Sequence, residues 1–166
     1  LSVENLEVHF HTRRRETRAV DGVSFTVAQG ETVGLVGESG CGKSTLGQAI
    51  MRLIRPTGGR VVFQGQDITH LRNRHLRELR RGMQMIFQDP FASLNPRQSV
   101  RAILTAPLVV HGQSRGAERI VAELAEAVGL GADALDRLPH EFSGGQRQRI
   151  GIARALVLAP ELVICD

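Results

Sequence analysis

The sequence predicts an α/β fold that carries a block of helices. Three observations lead there. Residues 2–10 and 18–27 alternate apolar and polar side chains with the period of strands (Val3, Leu6, Val8, Phe10; Val23, Phe25, Val27). The run Thr32-Val33-Gly34-Leu35-Val36 reads as a short buried strand, and it feeds a glycine-rich loop that opens a helix at 45–51. From Phe91 onward, helices joined by Pro, Gly and polar linkers take over. The expected division is therefore an α/β core at 1–90, a helical subdomain at 91–154 and a return to the core at 155–166.

Bulk properties narrow the class only a little. At 166 residues the chain can bury a sizeable core, and 42% hydrophobic with 23% charged residues is ordinary for a globular domain. The net charge of +4 comes from 21 basic against 17 acidic residues, with six Phe and neither Trp nor Tyr. That is weak support for a nucleic-acid surface, which sets aromatics among concentrated basic residues. Cys41 and Cys165 do not form a disulfide pattern and suit a reducing cytosol. The longest apolar run, 155–165, is broken by Pro160 and Glu161, so no segment is expected to span a bilayer. No signal-peptide pattern opens the chain. It begins at Leu1 and stops at Asp166 directly after a strand, and so reads as part of a longer protein.

In chain order, Arg13, Arg14 and Arg15 form a basic connection, read as a solvated loop or a contact for phosphate or lipid headgroups. Phe10 and His11 are candidates for stacking on a base, although Phe10 fits a core equally well. Asp21-Gly22 is either a hairpin turn or a bulge within one strand. After the breaker cluster 55–59, strand resumes at 60–63 and turns at Gln64-Gly65. Residues 70–81 read as an amphipathic helix, with Leu71, Leu76 and Leu79 inward and the arginines outward. A buried strand at 83–87 ends in Gln88-Asp89-Pro90. Helices are expected at 99–110, across Pro107, and at 116–128, where Ile120, Val121, Leu124, Ala125 and Val128 share one stripe.

The stretch Gly37-Glu38-Ser39-Gly40-Cys41-Gly42-Lys43-Ser44-Thr45 has the spacing Gly-x-x-x-x-Gly-Lys-Ser of a phosphate-binding loop. Glycines allow successive N–H groups to turn inward around an anion. The following helix aims its positive end at the same place. Lys43 adds a full charge where terminal phosphates would lie, and the Ser44 hydroxyl can ligate Mg²⁺. This loop is expected to bind a nucleoside triphosphate.

Two further stretches narrow the choice. Ser143-Gly144-Gly145-Gln146 opens a helix running through Ile150, Ile152, Ala153, Leu156 and Val157. A hydroxyl, bare backbone N–H groups and a helix dipole meet there, which makes a second anion site. Residues 161–165 form an apolar strand that ends in Asp166, where a Mg²⁺ ligand is needed.

Taken together, the loop, Gln88, the Ser-Gly-Gly-Gln turn and the strand with Asp166 resemble the ATP-binding subunit of an ABC transporter. Residues 37–46, 87–97 and 139–150 are similar to the oligopeptide/dipeptide importer ATPases, of the OppF/DppF-like type. The resemblance covers essentially the whole chain, with Leu138 standing where the family usually has Tyr. It implies a RecA-like P-loop NTPase core with an antiparallel β subdomain and an inserted helical subdomain, incomplete at the C-terminus. It also implies that Gly37, Ser39, Gly40, Cys41, Gly42, Lys43, Ser44 and Thr45 cradle ATP and Mg²⁺. Gln88 senses the γ-phosphate, Mg²⁺ or the attacking water, and Asp166 holds the metal. Ser143, Gly144, Gly145 and Gln146 act on ATP held by a second ATPase subunit in a head-to-tail dimer. Residues 89–97 lie near the groove for a permease subunit, and His140 is read as structural. The implied location is the cytoplasmic face of the membrane, without a span.

A rival reading is an ABC ATPase acting on nucleic acid, favoured only by the basic helix at 72–81; a nucleotide-dependent dimerisation module is a third. The resemblance places a catalytic Glu directly after Asp166 and a switch His further on, neither of which is among these residues. The 166-residue polypeptide is accordingly expected to hydrolyse ATP weakly or not at all. Sustained multiple-turnover phosphate release from it would overturn that expectation.

Overall fold

The computed structural model describes residues 1–11, 15–89 and 93–166, apart from the side chains of residues 73, 74 and 132. Arg13 and Arg14 of the basic connection, the boundary expected at 90/91 and the side chain of Arg74 lie outside what is described. The chain divides into two compact units, Leu1–Arg77 and Glu78–Asp166.

In the first unit, strands β1 (Ser2–His11), β2 (Glu16–Thr26), β3 (Gly58–Phe63) and β4 (Gln66–Asp67) form an antiparallel sheet in the order β2-β1-β3-β4. Strand β1 buries Val3, Leu6 and Val8, although an unbroken strand would put Val3 and Leu6 on opposite faces. The sheet resolves this with an irregularity: the register shifts between Val3 and Leu6, where Asn5 takes a positive φ of 45°. Opposite it, Gly22 has φ 73°, and the Asn5 N–H donates to the Ser24 hydroxyl at 2.7 Å. Asp21-Gly22 is thus a bulge inside β2 and not a hairpin turn. The turn between β3 and β4 is a two-residue one, with Gln64 and Gly65 both at positive φ, as the twist of paired strands favours. Helix α1 (Lys43–Ile50) buries Leu46, Ala49 and Ile50 and packs against β1 and β2.

Residues 32–36 depart from the expected buried strand. They pair with no described strand, and Val33, Leu35 and Val36 are exposed, Val36 at 93%. The reason is that a strand is not a local structure. An apolar run supplies propensity, but its N–H and C=O groups need the ladder of a neighbour.

Helix α2 (Asn73–Gly82) straddles the division, with Leu76 buried and Arg72, Arg77 and Arg81 exposed around it. It leads straight into β5 (Met83–Ile86), which pairs in parallel with β6 (Leu162–Cys165), from Met83↔Leu162 to Ile86↔Cys165. Between these strands lie α3 (Val100–Val110), α4 (Ala117–Ala127) and α5 (Gly144–Leu156), with 3₁₀ turns at Ala132–Asp136 and Pro139–Glu141. Leu104, Leu108, Val121 and Ile150 are fully buried at the centre of their shared core. Helix α3 is capped by Ser99, whose hydroxyl accepts from the Ala102 N–H at 3.3 Å, and it runs on through Pro107.

Arg101 joins three of these elements. It donates to both Asp136 carboxylate oxygens, at 2.9 and 3.3 Å, and to Glu118 at 2.5 Å. The hydrogen bonds from Arg101, and its charge, hold the Asp136 carboxyl below the usual carboxylate range. A carboxyl held low in the folded state adds stability above its unfolded pKa of about 3.9. That contribution is lost as pH falls through the lower, folded value. Arg101→Met should therefore reduce the urea midpoint at pH 7, with the gap to wild type closing as pH drops below about 4. A gap independent of pH would remove this pairing as its cause.

Candidate functional site

The glycine-rich loop belongs to the first unit. Its last glycine, Gly42, is the N-cap of α1 with φ 99° and ψ 7°, a left-handed conformation that side chains rarely adopt. Space forbids one as well: a Cβ at Gly42 would stand 1.9 Å from the Ala19 carbonyl oxygen on β2. Loop and sheet therefore meet backbone to backbone, and the start of α1 is fixed there. No acidic side chain occupies the first turn of α1, so the positive end of the helix is left open to an anion.

Lys43 lies back across the loop. Its ammonium donates to the carbonyls of Gly37 at 2.9 Å and Glu38 at 2.6 Å, and approaches the Cys41 sulfur at 3.7 Å. These contacts hold the charge over the loop. Ser39, Gly40, Cys41 and Ser44 are exposed, and Thr45 is half-buried. Within residues 37–45, the Lys43 ammonium joins the two ends of the loop through the Gly37 and Glu38 carbonyls.

The other predicted residues belong to the second unit. Gln88 and Asp166 leave the same edge of the β5–β6 pair, and the ladder continues past it through the Asp166 N–H, which donates to the Ile86 carbonyl at 2.9 Å. Both are exposed. Ser44 in the first unit carries a hydroxyl, and in the second unit Gln88 carries an amide oxygen and Asp166 a carboxylate. Each is a hard oxygen donor of the kind Mg²⁺ takes. Among the described residues no group of three or more His, Cys, Asp or Glu could hold a metal by itself.

At the head of α5, the Ser143 hydroxyl accepts from the Gln146 N–H at 3.3 Å, while the Gln146 side chain accepts from the Ser143 N–H at 2.9 Å. This reciprocal cap fixes the turn. Gly144 and Gly145 are exposed, and a Cβ on either would meet nothing within 4 Å. Before this turn, Arg137 lies over the Phe142 ring at 4.6 Å and donates to the Glu141 carbonyl at 2.6 Å. The motif reading missed this brace, although the i, i+4 spacing of Arg137 and Glu141 could have suggested it. His140 is exposed.

Residues 20–166 match the family model described as ABC transporter. The chain belongs to the ABC transporter family. Among curated ABC relatives, a putative oligopeptide transport ATP-binding protein, YkfD of Bacillus subtilis, is 52% identical over 100% of this chain and 52% of its own length. The oligopeptide transport ATP-binding protein AppF of the same organism is 54% identical over 95% of this chain and 49% of its own length. The chain thus spans about half the length of these relatives. A solved structure, the dimeric post-hydrolysis state of the ATP-binding cassette MJ0796 bound to ADP and Pi, superposes with a TM-score of 0.90 at 26% identity. It covers 99% of this chain and 72% of its own. The fold is that of an ABC cassette.

Gly42→Ala should cost about 2 kcal/mol or more, since left-handed strain alone amounts to about 1–2 kcal/mol and the Ala19 contact adds to it. A urea midpoint equal to wild type would show that the loop can shift away from β2.

Proposed function

We propose that this sequence is the nucleotide-binding part of the ATP-hydrolysing subunit of an ABC importer that takes up peptides or a similar small solute. The observation that carries the reading is the Lys43 ammonium, tethered by two carbonyls above a glycine loop at an open helix end. That arrangement is complementary to the terminal phosphates of a nucleoside triphosphate. The names of the curated relatives support peptides as cargo.

In this reading, Gly37, Gly40 and Gly42 shape the cradle, Lys43 neutralises the terminal phosphates, and Ser44 and Thr45 hold the phosphate end of the site. Mg²⁺, held by Ser44, Gln88 and Asp166 with water between, would offset charge on the phosphate oxygens. Gln88 orients the attacking water. Ser143, Gly144, Gly145 and Gln146 donate to the γ-phosphate of ATP bound by a second ATPase subunit, head to tail. ATP then bridges the two subunits, and its cleavage releases them, which permease subunits turn into a change of access. Positioning and charge stabilisation supply the rate. No helix among the described residues is long and apolar enough to cross a membrane. We place the protein on the cytoplasmic face, held there by its permease and not by nucleic acid or lipid.

Lys43→Ala in the full-length protein tests the reading. A charge-assisted hydrogen bond is worth about 1.5–3 kcal/mol, so ATP affinity should fall about tenfold to a hundredfold. Unchanged affinity, measured by calorimetry, would overturn the assignment.

A further inference from the structure

Arg154, on the last turn of α5, is half-buried and sits between the buried Ala153 and Ala155. Burial pushes its guanidinium below the ordinary arginine range. Among the described residues it has no carboxylate partner; its Nη1 donates to the backbone carbonyl of Ser93, 61 residues earlier in the chain. A partly desolvated cation answered only by a carbonyl is costly, and an apolar side chain would serve packing at least as well. The position of the contact suggests what the cost serves. Ser93 lies five residues after Gln88, and its own N–H donates to the Asp89 carbonyl at 3.2 Å. The next residue, Leu94, is buried in the helical core. Arg154 therefore holds a residue that is itself hydrogen-bonded to Asp89, the neighbour of Gln88. At the other end of the same helix stands Ser143, about 16 Å away at 1.5 Å per residue.

We propose that Arg154 is a positioning residue: by gripping the Ser93 carbonyl it ties Asp89, and with it the neighbouring Gln88, to the helix that carries Ser143, Gly144 and Gly145. The role rests on the ATPase reading given above. It makes α5 a link between Gln88 and the serine–glycine turn, so a displacement at one end is felt at the other. The grip needs a cationic donor at that depth, which a hydrophobic side chain of similar volume cannot supply.

The test compares Arg154→Met, Arg154→Gln and Arg154→Lys in the full-length protein. Methionine keeps bulk without a donor, glutamine is shorter and uncharged, and lysine keeps a charged donor. With methionine or glutamine, kcat for ATP hydrolysis should fall about tenfold, the scale of one hydrogen bond to a charged group, while KM for ATP stays within about twofold because the Lys43 loop is untouched. Lysine should restore most of kcat. If the methionine variant does not fold, the glutamine and lysine pair decides. An unchanged kcat, a KM rising in step with the loss, or lysine doing no better than glutamine would each overturn the proposal. Amide hydrogen exchange gives an answer independent of nucleotide chemistry. The amides of 93–99 should exchange faster in the glutamine variant than in wild type, and those of 37–45 should not. Equal exchange at 93–99 removes the tie even if the ATPase reading holds, whereas a wild-type protein that binds no ATP refutes that reading and leaves the exchange result to judge Arg154.

Discussion

The close approach of Gly42 to the Ala19 carbonyl fixes the rest of the glycine-rich loop. Helix α1 can begin only where that glycine turns left-handed against β2, and the Leu46 N–H then donates to the Gly42 carbonyl at 2.8 Å. Once the helix start is set, the base of the Lys43 side chain is set as well. Its ammonium reaches back to the carbonyls of Gly37 and Glu38. Sheet position, helix position and charge position thus follow from a single close approach of two backbone segments. Leu46, Ala49 and Ile50 keep the helix from sliding away, because all three are buried.

The second unit reaches its order differently, through a packed helical core braced by arginines at its margin. Arg101 fastens α3 to the start of α4 and to the 3₁₀ turn at Ala132–Asp136. Arg137 stiffens the approach to Ser143 from its place over the Phe142 ring. Arginine suits these places because its planar fork serves several acceptors in fixed directions. Exposed pairs of this sort contribute little to stability singly, so their value is in registering one element against the next.

What the sequence made legible was local. The spacing of Gly37, Gly42 and Lys43 encodes its own geometry, and the Ser143 to Gln146 interval carries the signature of a reciprocal cap. The stripe on α4 was likewise readable, since Val121 and Ala125 are buried and Ile120, Leu124 and Val128 pack beside them. Pairing was less legible. Val33, Leu35 and Val36 have the composition of a strand, yet whether they form one depends on a ladder that no local pattern specifies. The irregularity at Asn5 was hidden because an alternation count assumes a continuous strand, and Val3 and Leu6 break that count. The grip of Arg154 on Ser93 spans too much chain for any spacing rule to reveal.

The cap on α5 leaves one resource unspent. In it the Ser143 oxygen only receives, taking the Gln146 amide proton on a lone pair. Its own hydrogen is not committed by that bond and can rotate toward whatever acceptor arrives. An incoming oxyanion would therefore gain a donor without unfastening the helix, so contact there can be made and broken repeatedly while the first turn of α5 keeps its shape.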